Sequence, residues 1–339
     1  MYFCTIFLFY ASSGESPSPA VHYLALVPSN VEFTSISKMS TMTAITAFPP
    51  RPSRSLQNKV AIVTGSGSGS NSPSEGLGNG RATAILLAEA GANIVCADLS
   101  LPSAQHTVSL INAEFGAGRA IAVQADVTSA QDCSNLVQAA LDAYGRLDIL
   151  VNNVGVSGPP GNAVDVDPSA WARGLETNVS SMMLMAKYAV PAMERNDLVE
   201  GSIAGRGSIV NIASVAGLLG GVPMLLYPTS KGAVVNMTRA MAVHHAPMGI
   251  RVNCVCPGLL YTPMVAGHEM PPEVREARRT GSLLQTEGNA WDCAAAVRFL
   301  AGEEARWITG AVLPVDAGMT ATLPVLTGAF STLTADPPS

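Results

Sequence analysis

The chain has 339 residues, 48% of them hydrophobic and only 13% charged, with mean hydropathy +0.29. Its net charge of −6, pI near 5.4 and lack of any Lys/Arg-rich run argue against nucleic acid or an anionic membrane surface as a partner. A chain this apolar buries a large core, and one α/β domain of ~200–250 residues is an ordinary size.

Residues 1–55 read differently from the rest. Met1–Tyr10 is a short apolar stretch without a basic flank, which makes a poor secretory signal. Residues 11–55 are rich in Ser, Thr and Pro, poor in acids, and carry Arg51 and Arg54 late. They read as a disordered leader, or as translated sequence upstream of a start at Met39 or Met42. A mitochondrial presequence is the alternative. No chemistry is expected there.

From residue 56 the pattern becomes regular. The apolar run Lys59–Val63 ends in Thr64-Gly65 and a Gly/Ser-rich loop, and a helix is predicted from Arg81 to Ala90. Asn93–Ala97 is a second buried strand, closed by Asp98. There follow a helix over 103–115, a strand over 119–124 ending at Asp126, and a helix over 129–144. Leu147–Val151 is a strand ending at Asn152-Asn153, before a long helix over 168–195. A strand over Ser208–Ile212, a helix over Tyr227–His245 and a strand over Ile250–Cys254 ending at Pro257-Gly258 complete the series. Ile209–Leu226 lacks charge, yet Asn211, Ser214, three glycines and Pro223 interrupt it, so it does not read as a membrane span.

Helices alternating with uniformly apolar strands predict a single-domain α/β fold over 56–320. This is a doubly wound, mostly parallel sheet of Rossmann type with helices on both faces. The segment 321–339 is left as a short Pro-terminated tail. Ligands in such sheets sit at the carboxyl ends of the strands, where the polar residues noted above fall.

Six cysteines lie scattered at 4, 96, 133, 254, 256 and 293. Cys254-Val255-Cys256 has no second pair, and the five histidines have no ligand spacing, so no metal site is expected. Free thiols suit a reducing compartment and a cytoplasmic location.

Two stretches carry chemistry. The loop from Thr64-Gly65 to Gly76-Leu77-Gly78 lies between a strand and a helix, where glycines let the backbone approach a pyrophosphate. Asp98 ends the second strand, where a carboxylate accepts from adenosine ribose hydroxyls and repels a 2′-phosphate. No Arg or Lys lies in 93–105, so NAD is favoured and NADP remains open. The second stretch is Tyr227-Pro-Thr-Ser-Lys231, with Ser214 upstream. Tyr227 and Lys231, at i and i+4 on a helix, share a face. A free phenol has a pKa near ~10, and a neighbouring ammonium is expected to lower it toward use as a general base.

Together these residues resemble the short-chain dehydrogenase/reductase family, over about residues 56–320. Its T-G-x-x-x-G-x-G motif is similar to Thr64-Gly65 and Gly76-Leu77-Gly78, with ten residues, 66–75, where the family has three. Removing Ser70–Gly76 restores the motif, as an inserted heptapeptide or a mispredicted exon edge would, and leaves open which of Gly69 and Gly76 takes its middle position. Asp126-Val127 matches the adenine-contacting pair, Asn152-Asn153-Val154-Gly155 the N-N-A-G motif and Asn178 the catalytic asparagine. Ser214, Tyr227 and Lys231 match the catalytic serine and Y-x-x-x-K. Pro257-Gly258-Leu-Leu260-Tyr-Thr262 matches the P-G-x-x-x-T at the nicotinamide end, and Ile308-Thr-Gly310 with Val315-Asp316-Ala-Gly318 the closing signature.

The resemblance implies an NAD(P)-dependent enzyme interconverting a secondary alcohol and its ketone. Tyr227 would be the acid/base and Ser214 would orient the substrate oxygen. Lys231 would lower the tyrosine pKa and hold the nicotinamide ribose, and Asn178 would position a water linking Lys231 to solvent. It also implies a homodimer or homotetramer, and a substrate lid over 263–285. There Met264, Val265 and Met270 would line an apolar pocket, and Arg275, Arg278 and Arg279 would form a solvated helix face. An NADP-linked carbonyl reductase and a catalytically inactive dinucleotide-binding regulator are the alternatives.

Overall fold

The computed structural model describes residues 51–67, 77–198, 205–266 and 270–322. In chain order the first half comprises β1 (Val60–Thr64), α1 (Asn79–Glu89), β2 (Asn93–Asp98), α2 (Leu101–Phe115), β3 (Ala120–Gln124), α3 (Ala130–Tyr144) and β4 (Ile149–Asn152). Next come α4 (Pro168–Leu175), a π turn (Glu176–Ser180), α5 (Ser181–Met193), β5 (Gly207–Ile212), α6 (Leu226–His245) and β6 (Ile250–Pro257). The remainder is β7 (Leu260–Tyr261), α7 (Pro263–Ala266), α8 (Pro272–Thr280), β8 (Gly288–Asn289), α9 (Ala290–Ala301) and β9 (Val312–Val315).

Seven strands form one parallel sheet in the order β3-β2-β1-β4-β5-β6-β9. Residues of β1, β4 and β6 are buried along their whole length, as strands covered on both faces must be, whereas β3 at one edge is only partly covered. Large apolar clusters fill the two faces. One packs Ala61, Val63 and Val151 against Ala84, Leu87, Val297 and Leu300, and the other packs Ile62, Val95 and Leu150 against Leu136, Met185 and Met241. The chain winds outward from β1 through β2 to β3, then crosses back to β4. The crevice used by nucleotide-binding sheets therefore opens above the carboxyl ends of β1 and β4.

The predicted doubly wound sheet is the observed one, and the predicted strands and helices lie within a few residues of their observed bounds. Several elements go beyond the sequence reading, α9 and β9 among them. Helix α9 buries Ala290, Cys293, Ala294 and Val297, with Ala290 and Ala294 against Ala82 of α1, and β9 closes the sheet beside β6. The long helix over 168–195 is broken in the middle, where the π turn carries Asn178. Residues 51–55 belong with the folded unit: Ser53 N–H donates to Glu303 (3.1 Å) and Arg54 pairs with Glu304 (3.1 Å). No helix among the described residues is long and apolar enough to cross a membrane.

Candidate active site

A cavity of about 490 Å³ opens over the carboxyl ends of the strands. Its far end is lined by Asp98, Asp126 and Val127, its middle by Gly65, Gly78, Asn79 and Asn153, and its near end by Ser214, Tyr227, Lys231, Leu260 and Thr262. Most of the residues expected to hold cofactor or substrate thus share one wall. Gly76 lies outside the described residues. Leu77 is not on that wall; it packs against Ala82, Ala290 and Ala294.

The close approach at the first strand–helix turn is made by Gly80. A Cβ there would sit 2.1 Å from the Gly65 carbonyl oxygen and 2.6 Å from Asn153 Nδ2, while Gly65 itself has φ +65°. The glycine that packs against the Gly65 carbonyl is therefore Gly80, two residues beyond Gly78, the last glycine of the expected motif. The sequence signal was present in Gly78-Asn79-Gly80-Arg81, but the extended loop obscured the register. Replacing Gly80 with Ala forces backbone apart and is expected to destabilise the protein by ~1–3 kcal/mol and to weaken dinucleotide binding. Gly220, whose Cβ would meet nothing within 4 Å, serves as the control; melting temperature and NADH fluorescence titration check both.

Helix α1 has neither an acidic residue in its first turn nor a side-chain cap, so its N-terminal amides and dipole remain available to an anion. Asn79, on the cavity wall, buries its amide oxygen without a hydrogen-bond partner among the described residues, a penalty that a bound donor removes. The cradle between Gly65 and Gly80, the orphaned amide oxygen and a cavity lining that runs from Asp98 to Thr262 all fit a dinucleotide.

Asp98 is held in place by backbone. Its carboxylate accepts from Gly67 N–H (2.9 Å) and Ser100 N–H (3.0 Å), which ties the start of the glycine loop to the end of β2. The fold also brings Arg81 of α1 near this carboxylate, although no basic residue lies near it in sequence. Arg81 is buried, donates to Thr107 Oγ1 (3.0 Å) and the Gly67 carbonyl (3.1 Å), and does not line the cavity. Asn153 staples β1 to β4: its backbone N–H donates to Thr64 Oγ1 (3.1 Å), and its amide donates to the Thr64 (3.0 Å) and Gly65 (3.2 Å) carbonyls. Asp126 accepts from the Thr128 hydroxyl (2.7 Å).

At the near end, a buried ladder orients α6. Asn152 Nδ2 donates to Asn211 Oδ1 (2.9 Å), and Asn211 Nδ2 donates to Thr238 Oγ1 (3.0 Å). Helix α6 then presents Tyr227 and Lys231 on one face, with Lys231 Nζ 5.8 Å from the Tyr227 ring centroid. Lys231 is 3% exposed and donates to the Ile212 carbonyl at 2.9 Å. Burial pulls its pKa down to about 8, so at neutral pH it is still mainly ammonium.

The expected lowering of the Tyr227 phenol by Lys231 is not what the fold produces. Burial raises the Tyr227 phenol above its ordinary value, and the opposing group is the Ser214 side chain through a hydrogen bond, not Lys231. Lys231 spends a donor on the Ile212 carbonyl and lies 5.8 Å from the centre of the phenol ring. Asn178 is fully buried behind the wall rather than on it. Its Oδ1 accepts from Val156 N–H (2.7 Å), and its Nδ2 donates to the Val156 carbonyl (2.9 Å) and Ser230 Oγ (3.0 Å). The side chain therefore clamps the loop after β4 instead of reaching for a water.

The segment expected as a lid contains α7 and α8. Pro263, Met264 and Val265 line the cavity, whereas Met270 does not. Arg275 pairs with Glu287 and Arg279 with Glu276, on the solvated side as expected. Arg278 departs from that reading: it turns inward and lines the cavity.

A family profile described as enoyl-(acyl carrier protein) reductase matches residues 75–320. The cis-4-hydroxycyclohexanecarboxylate dehydrogenase of Sinomonas cyclohexanicum is 37% identical over 78% of this chain and 97% of its own length. A cyclohexanol dehydrogenase of Acinetobacter sp. (strain SE19) is 34% identical, covering 79% of this chain and 97% of its own. Among solved structures, a short-chain dehydrogenase/reductase from Burkholderia xenovorans superposes with a TM-score of 0.70 at 39% identity, covering 79% of this chain and 98% of that one.

Proposed function

Because the chain belongs to the short-chain dehydrogenase/reductase family, we propose that it is an NAD-dependent enzyme interconverting a secondary alcohol and its ketone. One observation carries this reading: Ser214, Tyr227 and Lys231 share a cavity wall with Asp98 and the Gly65–Gly80 cradle. The Ser214 and Tyr227 hydroxyls, which meet by hydrogen bond on the cavity wall, suit a carbinol oxygen better than the carbon–carbon double bond that an enoyl reductase saturates. The relatives named for cyclohexanol and hydroxycyclohexanecarboxylate support a cyclic secondary alcohol.

The dinucleotide, when bound, supplies the acceptor or donor of hydride at the carbinol carbon. In oxidation Tyr227, as phenolate, takes the proton from the alcohol oxygen. Ser214 donates a hydrogen bond to that oxygen and stabilises charge as it develops. Lys231 holds positive charge beside the phenol ring and is positioned to contact ribose hydroxyls. Because the Asn178 side chain is engaged, the acceptor left at that position for a relay water is its main-chain carbonyl. It lies in the π turn, where the helical ladder is offset. This assigns Gly65, Gly78, Asn79, Gly80, Asp98, Asp126, Val127, Asn153, Leu260 and Thr262 to the cofactor.

NAD rather than NADP follows from the fixed Asp98 carboxylate and from the engagement of Arg81 away from the cavity. Steady-state turnover of cyclohexanol with each cofactor tests it. Replacing Asp98 with Asn is expected to lower the NAD/NADP ratio of kcat/KM by roughly 10- to 100-fold, the usual worth of a hydrogen bond to a charged group. A ratio that ignores the substitution removes Asp98 from ribose recognition. The described cysteines are free thiols, which supports a reducing, cytoplasmic setting, and a homodimer or homotetramer is part of the same reading.

A further inference from the structure

The three arginines of α8 are not equivalent. Arg275 makes a two-pronged pair with Glu287 (2.7 and 2.5 Å) and lies 4.0 Å over the Tyr261 ring. Arg279 makes a similar pair with Glu276 (2.8 and 2.6 Å). Arg278 is half-buried, and among the described residues its hydrogen bonding is a single 3.3 Å contact to the Leu260 carbonyl. A guanidinium carries five N–H donors and keeps its charge when buried, so most of its capacity is unspent. Burial lowers its pKa, and among the described residues the opposing charge is Glu287, already engaged with Arg275.

Its surroundings say from which side an anion would come. On one side is the main cavity, whose wall near α7 is Pro263, Met264 and Val265, and whose carboxylates, Asp98 and Asp126, are at the far end. On the other is a hollow of about 280 Å³ lined by Glu287, Asp292 and Asp316, which repels anions. We propose that Arg278 receives an anionic group of the substrate, so that the preferred substrate is an apolar secondary alcohol bearing a carboxylate or similar anion. This rests on the dehydrogenase reading above and specifies its substrate class.

The test uses the full chain with NAD and two probes of matched ring, cyclohexanol and 4-hydroxycyclohexanecarboxylate, in wild type, Arg278→Gln and Arg278→Lys. NADH affinity is measured alongside by fluorescence. The expected result is a wild-type preference for the carboxylate. Arg278→Gln should lose roughly 10- to 100-fold in kcat/KM on that probe, mainly through KM. Cyclohexanol turnover and NADH affinity should stay level, and Arg278→Lys should recover part of the loss. Equal effects on both alcohols, or none, overturn the proposal. A loss confined to NADH affinity assigns the anion to the cofactor pyrophosphate and equally overturns it. Wild type inactive on both alcohols sinks the dehydrogenase reading itself, whereas turnover of both that ignores Arg278 sinks only this inference.

Discussion

Replacing Tyr227 with Phe is expected to lower kcat by ~10³-fold or more, at the upper end of what a positioned acid/base contributes, with NADH affinity nearly unchanged. The substitution removes one hydroxyl and keeps the ring, so the packing at the start of α6 survives and the loss reports on proton transfer. Single-turnover oxidation with a fluorescence titration of NADH separates the two quantities; retained turnover dismisses Tyr227 from the chemistry. The pH dependence adds a second handle. Burial raises the phenol and the Ser214 hydrogen bond brings it partly back. Ser214→Ala removes that opposing contribution and moves the phenol higher. Oxidation needs phenolate, so its acid limb should shift toward alkaline pH. Reduction starts from the protonated phenol and should keep its neutral-pH profile.

Lys231→Met is expected to abolish useful turnover and yet raise the melting temperature at pH 7. The buried ammonium has its pKa drawn from 10.5 down to about 8. At ~1.4 kcal/mol per pH unit this is a penalty of ~3 kcal/mol to the fold at neutral pH. Losing the bond to the Ile212 carbonyl returns about 1 kcal/mol of that, leaving a rise of roughly 5 °C for a domain of this size. The sign follows from proton binding. Below pH 8 lysine is charged both folded and unfolded, and the penalty is complete. Between about 8 and 10.5 the unfolded chain holds more protons, so wild-type stability climbs with pH. Methionine does not titrate, so the gap between variant and wild type should close across that window. A variant that melts lower at pH 7, or a gap independent of pH, contradicts the burial argument. Stability given up at a lysine needed for chemistry is a recurrent feature of active sites.

How much of this was legible in the sequence differs from residue to residue. Tyr227 and Lys231 were readable because i, i+4 spacing on a helix dictates a shared face before any packing is known. Asp98 and Asn153 were readable because residues that end buried parallel strands must line the same sheet edge. Helix α9 was missed although its signal was local: Asn289 and Asp292 form a reciprocal cap ahead of an apolar run. The glycine register stayed open between Gly69 and Gly76 because spacing does not say which glycine meets the Gly65 carbonyl across a turn, a contact that Gly80 makes in the fold.

Sequence by itself determined the fold class, the strand ends and the catalytic residue types, since these follow from periodicity and from short-range geometry along the chain. Tertiary structure alone decided which charges are spent. Arg81 approaches Asp98 from another element yet is engaged behind the wall, the Asn178 amide clamps Val156, and Arg278 turns inward while its two neighbours pair outward. Desolvation likewise set the order of the Tyr227 and Lys231 proton affinities. Partnership and burial depend on groups far apart in the chain, and no spacing rule carries that information.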